Sequence, residues 1–538
     1  MDGTMMRFPL TLTPILERCA QLFPTEEIAS RRPDGSMHRY TYADFHRRTH
    51  ALARALLQRG LQRSDRVATF MWNHYAHLES YFAIPCAGGV VHTLNLRLHP
   101  DDLAYIINHA GDRWLIIDDV LLPLFEKFRD KINVEGVIVV PYSGASVPST
   151  YIDYEELLRQ RQPGAELPVL GEDEAAEMCF TSGTTGKPKG VVYSHRALVL
   201  HAFAATMADT LAISQRDIVL PIVPMFHANA WGVPHAATMV GARQIFPGSR
   251  LDPESILDLF ERERVTMSAG VPTIWLGVLD YLEKDPERAK RLPQMRLLCG
   301  GAAAPETLIR KLDKFGFHMI HAWGMTETTP LATVNFIKRG LESSDEDRLY
   351  ATRSAQGLPG PFVDLRVRAR DGIAAWDGKT AGELEIRGPW IAASYFNNSD
   401  ASDRWTDDGW FRTGDVATID PNGYVRLTDR VKDLIKSGGE WISSVELESH
   451  LMAHPAVREA AVVSVPHPKW LERPLAVIVV REGAKATADE LRLHLESKVA
   501  RWWLPDGYVF VDAIPHTSTG KVFKSELRER YKDWSAET

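Results

Sequence analysis

The chain has 538 residues, of which 45% are hydrophobic, 25% charged and 9% aromatic, with a formal net charge of −8. Such a composition predicts a soluble globular protein of several domains, at about 100–200 residues each. It argues against a general nucleic-acid binder, whose footprint would be basic, and no run reaches the roughly 18 apolar residues of an integral membrane span. Residues 1–9 carry Asp2 and Arg7 without a basic-then-apolar leader, and Cys19, Cys86, Cys179 and Cys299 are too scattered for a disulfide framework or a CxxC metal site, so a cytoplasmic enzyme is expected.

In chain order, residues 40–140 mix helix and strand patterns, with a helix over 100–109 and a strand at 114–117. Between 215 and 330, strands at 218–223, 244–246, 265–269, 296–299 and 318–321 alternate with helices. Asp252-Pro253-Glu254 starts one of these, with an N-cap, a proline at the first helical position and an acid facing the dipole; Pro305-Glu306 starts another. Alternation of this kind predicts a parallel sheet with right-handed crossovers. From 356 to 428 glycine and proline are frequent, and alternating runs such as Glu383-Leu384-Glu385-Ile386 predict a small β unit. After Lys436 an α+β pattern follows: a helix over 445–453, strands at 460–465 and 475–480, and a helix over 488–500.

The most informative segment is Thr181-Ser182-Gly183-Thr184-Thr185-Gly186-Lys187-Pro188-Lys189-Gly190, set between two short apolar runs. Its glycines allow backbone N–H groups to turn toward an anion, and its hydroxyls and two lysines add donors and charge, so it reads as a triphosphate cradle. It lacks the four-residue gap and the hydroxyl after lysine of a P-loop. Gly372 with Gly378-Lys379-Thr380 imitates that motif with the wrong spacing and reads as a surface turn.

With this loop, the chain resembles the adenylate-forming superfamily of acyl-CoA synthetases, luciferases and peptide-synthetase adenylation domains. Further motifs follow in the family's order: Pro224-Met225-Phe226-His227, Ala322-Trp323-Gly324-Met325-Thr326-Glu327, Tyr395 to Asn397, and Trp410-Phe411-Arg412-Thr413-Gly414-Asp415. Asp429-Arg430-Val431-Lys432, Lys436-Ser437-Gly438-Gly439 and Pro515-His516-Thr517-Ser518-Thr519-Gly520-Lys521 complete the set. The segments 225–232 and 436–443 are most similar to bacterial medium- and long-chain fatty acyl-CoA synthetases.

The resemblance implies an α/β fold. A large N-terminal domain (1–428) would hold two parallel-sheet α/β subdomains and a small β-barrel-like one; a hinge (429–435) would join it to a small mobile α+β C-terminal domain (436–538). It implies ATP, Mg²⁺ and coenzyme A with a fatty or other carboxylic acid, and a homodimer. In the residues' implied roles, the 181–189 loop (Thr181, Ser182, Gly183, Thr184, Thr185, Gly186, Lys187, Lys189) binds the β- and γ-phosphates. Thr181 and Glu327 are tied to Mg²⁺, and Thr326 contacts the α-phosphate. Gly301, His321, Ala322 and Trp323 line the adenine, and Asp415 and Arg430 hold the ribose. Lys521 bridges the carboxylate and α-phosphate; Lys432 marks the hinge; Lys436, Gly438, Gly439 and Trp441 enter the pantetheine tunnel after rotation. His227, Ala228, Trp231 and Gly324 face the acyl group.

Some positions fit two readings. His227 suits either a strand-end packing role or orientation of the carboxylate or thioester, and Trp231 either a core position or a gate to the acyl tunnel. Amino-acid activation is disfavoured because 227–233 offers no acid to pair a substrate ammonium. Short thioether and aryl acids stay open as substrates, since one methylene is worth only about 1–3 kcal/mol in a pocket. A luciferase-like oxygenase has no specific signal, and a non-catalytic ATP-binding regulator could dispense with Lys521 and Glu327.

Overall fold

The computed structural model describes residues 1, 3–160, 166–181, 187–342, 345–430, 432–437, 440–517 and 520–534. The strand–helix alternation between 215 and 330 folds into a parallel run of Ile218–Pro221, Arg243–Phe246, Met267–Gly270, Met295–Cys299 and Phe317–Gly324. The first strand stops at Pro221, which cannot continue the ladder, and the N–H groups of Ile222 and Val223 both turn to Ala269 O at 3.0 Å. The last runs three residues beyond the expected 321, carrying Ala322, Trp323 and Gly324 to its carboxyl end.

This sheet has nine strands, and two of them come from the far N-terminal part of the chain. Glu27–Arg31 lies parallel to Arg243–Phe246 and antiparallel to Met37–Thr41. A second sheet of seven strands is built from 66–194 and ends in the antiparallel hairpin Ala175–Phe180 and Gly190–Ser194, whose connection is the phosphate-loop segment. Between the two sheets lie helices such as Tyr75–Cys86, every residue of which is buried. Its buried residues include His77, Glu79 and Ser80, and Glu79 is compensated by an ion pair with Arg48 at 2.7 Å.

The Gly- and Pro-rich stretch forms a five-stranded antiparallel sheet in the open order Gly372–Ile373, Asp364–Ala369, Gly382–Arg387, Phe411–Ile419, Val425–Arg430. The Gly372 to Thr380 imitation motif is an exposed turn there, with Asp377 Oδ1 accepting from the N–H groups of Lys379 and Thr380.

Asp433 N and Leu434 N both donate to Arg430 O, forming the turn that leads into the C-terminal unit. Its helix spans Ser444–Met452, with Ser443 capping Glu446 N, and its second helix, Ala488–Glu496, ends four residues short of the expected 500. The long hairpin Val457–His467 and Leu471–Val480 is joined by Ile435–Ser437, Glu440–Ile442 and Gly507–Phe510, three strands with no expectation behind them. Mixed parallel and antiparallel sheets in a large N-terminal part and a separate α+β tail agree with the expected fold class. Among the described residues, no helix is long and apolar enough to cross a membrane.

Candidate active site

The parallel strands of the nine-stranded sheet end at Gly300-Gly301 and at Gly324-Met325, the usual side for a ligand crevice in an α/β sheet. There the phosphate-loop hairpin, the antiparallel sheet and the C-terminal domain converge on one cavity of about 790 Å³.

At the mouth of the phosphate loop, Thr181 N donates to Lys189 O at 2.9 Å and Lys189 N to Thr181 Oγ1 at 3.1 Å. Ser182, Gly183, Thr184, Thr185 and Gly186 lie outside the described residues. Thr181, Lys187 and Lys189 line the cavity, with the two ammonium groups 5.0 and 4.9 Å from the ring centroids of Tyr105 and Tyr395.

The turn Thr326–Thr328 carries Glu327, whose carboxylate accepts the Tyr395 hydroxyl at 2.5 Å while Ala392 N binds its main-chain oxygen at 2.8 Å. Tyr193 fixes Thr326 from below through its carbonyl at 2.7 Å. Glu327 is buried, lines the cavity and enters no ion pair among the described residues. The Glu327 carboxylate and the Thr181 hydroxyl, both in the cavity lining, are the hard oxygen donors that a Mg²⁺ ion accepts, so the donor set fits that ion. Gly324 has a packing reason of its own, since a Cβ there would overlap Pro330 O.

Asp415 and Arg430 face each other across the strand pair, Arg430 Nε lying 3.1 Å from Asp415 Oδ1. Asp415 Oδ2 accepts the Trp323 indole N–H at 2.9 Å, so Trp323 is held on the cavity wall through its ring nitrogen. The carboxylate beside it raises the Arg430 pKa, keeping that guanidinium charged.

His227, Ala228 and Trp231 stand on the opposite wall. Ala228, Asn229, Ala230 and Trp231 all have positive φ, between 40° and 59°, a left-handed turn that costs roughly 1–2 kcal/mol per non-glycine residue. Buried bonds hold it: the Asn229 amide donates to Glu177, and its Oδ1 lies 2.8 Å from Cys179 Sγ. Burial, with Lys521 nearby, lowers His227 to a pKa of about 3, so its imidazole is neutral at working pH.

Lys521 follows a turn closed by Thr517 N on Lys521 O, and Gly520, at φ +81°, lets that turn press against Val271. Its side chain reaches the cavity beside Gly301. Burial pulls its pKa from the usual 10.5 to about 8; Arg430 and Lys432 add to the fall, and Asp415 and Glu327 oppose it.

Lys432 and Lys436 also line the cavity, and burial lowers the Lys432 pKa. Trp441 does not: it is 47% exposed, with its ring under the Lys436 ammonium at 5.1 Å. Gly438 and Gly439 lie outside the described residues. Ala322 and Gly301 are on the wall, whereas the His321 ring turns away to Ser354 O at 2.9 Å and Ala304 N at 3.3 Å. Strand alternation sets that direction, opposite to Ala322. Sequence reasoning omitted Tyr395, Arg404 and Arg412 as site residues, although all three line the cavity. Tyr395 and Arg412 stand inside motifs that were read, but Arg404 has no local signal. Among the described residues, the lining holds eight lysines and arginines against three carboxylates, in a chain whose net charge is −8. Such a concentration suits a polyanion.

The profile of the AMP-binding enzyme family matches residues 16–396, and that of the AMP-binding enzyme C-terminal domain residues 446–521. A long-chain-fatty-acid–CoA ligase of Thermus thermophilus is 50% identical, over 99% of this chain and 97% of its own. A 3-methylmercaptopropionyl-CoA ligase of Ruegeria lacuscaerulensis is 43% identical over 99% of both chains. A medium-chain-fatty-acid–CoA ligase of Ectopseudomonas oleovorans is 41% identical over 99% and 98%. Among solved structures, ATP-bound MatB from Rhodopseudomonas palustris superposes with a TM-score of 0.82 at 27% identity, covering 98% of this chain and 99% of that one.

Proposed function

We infer the reaction from one premise: the chain belongs to the AMP-binding enzyme family. It is an adenylate-forming acid–CoA ligase, and we propose a medium- or long-chain fatty acid as its substrate. The observation that carries this reading is the joining of two surfaces in one cavity. Eight cationic side chains face an apolar wall that includes Trp231, Leu298, Met325 and Leu331. A triphosphate fits the first and an alkyl chain the second. The fatty-acid relatives at 50% and 41% identity support the same choice.

A free carboxylate is a poor acyl donor because its leaving group would be oxide. In the proposed first step one carboxylate oxygen attacks the α-phosphorus of ATP and pyrophosphate departs, giving the acyl-adenylate. Catalysis of such a displacement is mostly positioning and charge stabilisation. Lys187 and Lys189 hold the β- and γ-phosphates, Thr326 the α-phosphate, and Asp415 with Arg430 the ribose. Lys521 neutralises both the incoming carboxylate and the phosphate that it meets. Glu327 and Thr181 would hold Mg²⁺, which supplies charge neutralisation on the phosphates. The neutral His227 offers a hydrogen bond to the acyl oxygen without competing as a cation. In the second step the coenzyme A thiol attacks the acyl carbon and AMP leaves, after the C-terminal domain turns about the hinge 429–435 and brings Lys436 and Trp441 toward the acyl group.

ATP–pyrophosphate exchange across carboxylic acids from acetate to palmitate, with thioether and aryl acids alongside, tests the reading. Exchange with C8–C16 acids and AMP release dependent on coenzyme A are expected. Exchange confined to short thioether acids would move the substrate to the second reading, which the 43% relative supports. No exchange with any acid would overturn the proposed reaction.

A further inference from the structure

Away from the cavity, Glu17 on the helix Thr13–Leu22 meets His46 and His50 on the helix Tyr42–Gln58. The histidines are one helical turn apart on the same face, so both rings reach the same point in space. His46 Nε2 lies 3.0 Å from Glu17 Oε2 and His50 Nε2 2.8 Å from Oε1, with the ring centroids 4.3 Å apart. The three donor atoms are within 4.8 Å of one another, and each side chain is partly buried. We propose that Glu17, His46 and His50 form a binding site for a borderline divalent transition-metal ion such as Zn²⁺, clamping the first helix to the second.

Two imidazole nitrogens and one carboxylate oxygen are a recurrent zinc donor set, with water in the remaining position, and a His pair at i, i+4 is the usual way for one helix to supply two of them. Imidazole selects Zn²⁺, Co²⁺ or Ni²⁺ over Mg²⁺, so the site is chemically separate from the hard-oxygen pair Glu327 and Thr181. Binding requires each imidazole to present its Nε2 lone pair, so any proton on that nitrogen must leave it or move to Nδ1. His50 Nδ1 is buried without a hydrogen-bond partner, so that ring lacks the outer support of the tightest zinc sites. The clamp also bears on the acyl wall: Arg18, next to Glu17, donates to Met239 O at 3.1 Å, in the helix Val233–Val240 that follows the left-handed turn.

The test is calorimetric titration of the full-length, chelator-stripped protein with Zn²⁺ in excess Mg²⁺, which occupies hard-oxygen positions. One saturable equivalent is expected, with a melting temperature that rises with Zn²⁺ concentration and visible d–d absorption when Co²⁺ is used instead. His46→Gln and His50→Gln should each weaken binding by about tenfold or more. Glu17→Gln keeps the side-chain shape and should weaken it too, with an unchanged far-ultraviolet circular dichroism spectrum showing that the fold survives. Absence of a saturable equivalent, or binding equal to wild type in all three variants, would show that the trio is a hydrogen-bonded helix clasp only and would overturn the site.

Discussion

Lys521→Ala isolates the proposed role of the C-terminal domain in the first half-reaction. The side chain ends beside Gly301 in a cavity that it shares with seven other cations, and its pKa of about 8 reflects burial and the repulsion of Arg430 and Lys432. Removing one aimed donor from a site of developing negative charge costs about 3–4 kcal/mol, a factor of about 10²–10³ in rate. ATP–pyrophosphate exchange should fall by that factor, while thioester formation from synthetic acyl-AMP and coenzyme A stays within about threefold of wild type. The pH profile supplies a second readout. The protonated lysine is the active form, so wild-type exchange at low substrate concentration should decline above about pH 8, and the variant should lose that limb. Stability moves the other way. Folding lowers this pKa from 10.5, so the unfolded chain binds more protons between about pH 8 and 10.5 and wild-type stability gains from this group as pH rises through that window. Below pH 8 the full burial penalty applies, at most about 3 kcal/mol before screening by water in the cavity. Lys521→Ala removes that penalty and should leave the melting temperature at pH 7 unchanged or higher. Equal loss of both half-reactions, or an alkaline limb that persists in the variant, would refute the assignment.

Asn229→Ala leaves the Glu177 carboxylate without its buried donor and removes the brace of four left-handed residues. A loss of about 2–4 kcal/mol, read from the urea midpoint, is expected, with a higher KM for the acid. Asp280→Lys breaks the pairs with Arg481 at 3.1 Å and Arg458 at 3.8 Å that hold the C-terminal domain against the helix Pro272–Lys284. Each such partly exposed pair is worth about 0.2–1 kcal/mol, so exchange should slow by about two- to fivefold, less so at high salt, with thioester formation spared. Trp231→Ala opens the apolar wall beside Gly300; kcat/KM across chain lengths should shift toward bulkier acids by about tenfold, and an unchanged ratio would place Trp231 among core residues.

What the sequence disclosed follows the range of the interactions. Helix starts were legible because their causes are local: Asp252 accepts from Ser255 N, as its place before Pro253 and Glu254 predicts. Strands built from distant partners were not. Glu27–Arg31 owes its place to Arg243–Phe246, more than 200 residues away, and no local pattern announces that pairing. The same division runs through the site. Asp415 and Arg430 were readable as a pair from their motifs, but the bond from the Trp323 indole N–H to Asp415 crosses from one sheet to another. His321 was grouped with Ala322 although successive residues of a strand point to opposite faces, a rule that already separates them. Asn229 has no role legible in its motif, because the partner of its amide, Glu177, stands 52 residues away. The structure shows its amide bonded to Glu177 and Cys179 in the middle of the run of positive φ that carries Trp231.

The energetics of the cavity and of the domain contacts fit one another. Burial is the main cost of holding Lys521 in the cavity and repulsion by Arg430 and Lys432 adds to it, both at the expense of its own proton affinity. A triphosphate and a carboxylate relieve that repulsion, so the arrangement with Lys521 inside gains stability when the substrates of the first step are bound. Once pyrophosphate has left and the carboxylate charge is gone, the repulsion returns. Among the described residues, the contacts that oppose departure of the domain include the Asp280 pairs, the exposed Lys284–Glu482 pair at 3.4 Å, the packing of Gly520 on Val271, and the bonds of Ser443 and Ser444 to Thr428 O and Asp429. The three ion pairs total about 1–2 kcal/mol, so the change in cavity charge is large enough to outweigh that part of the interface. The polar pairs at this interface suit the proposed mechanism, since a large apolar interface would hold Lys521 in place after its step was complete.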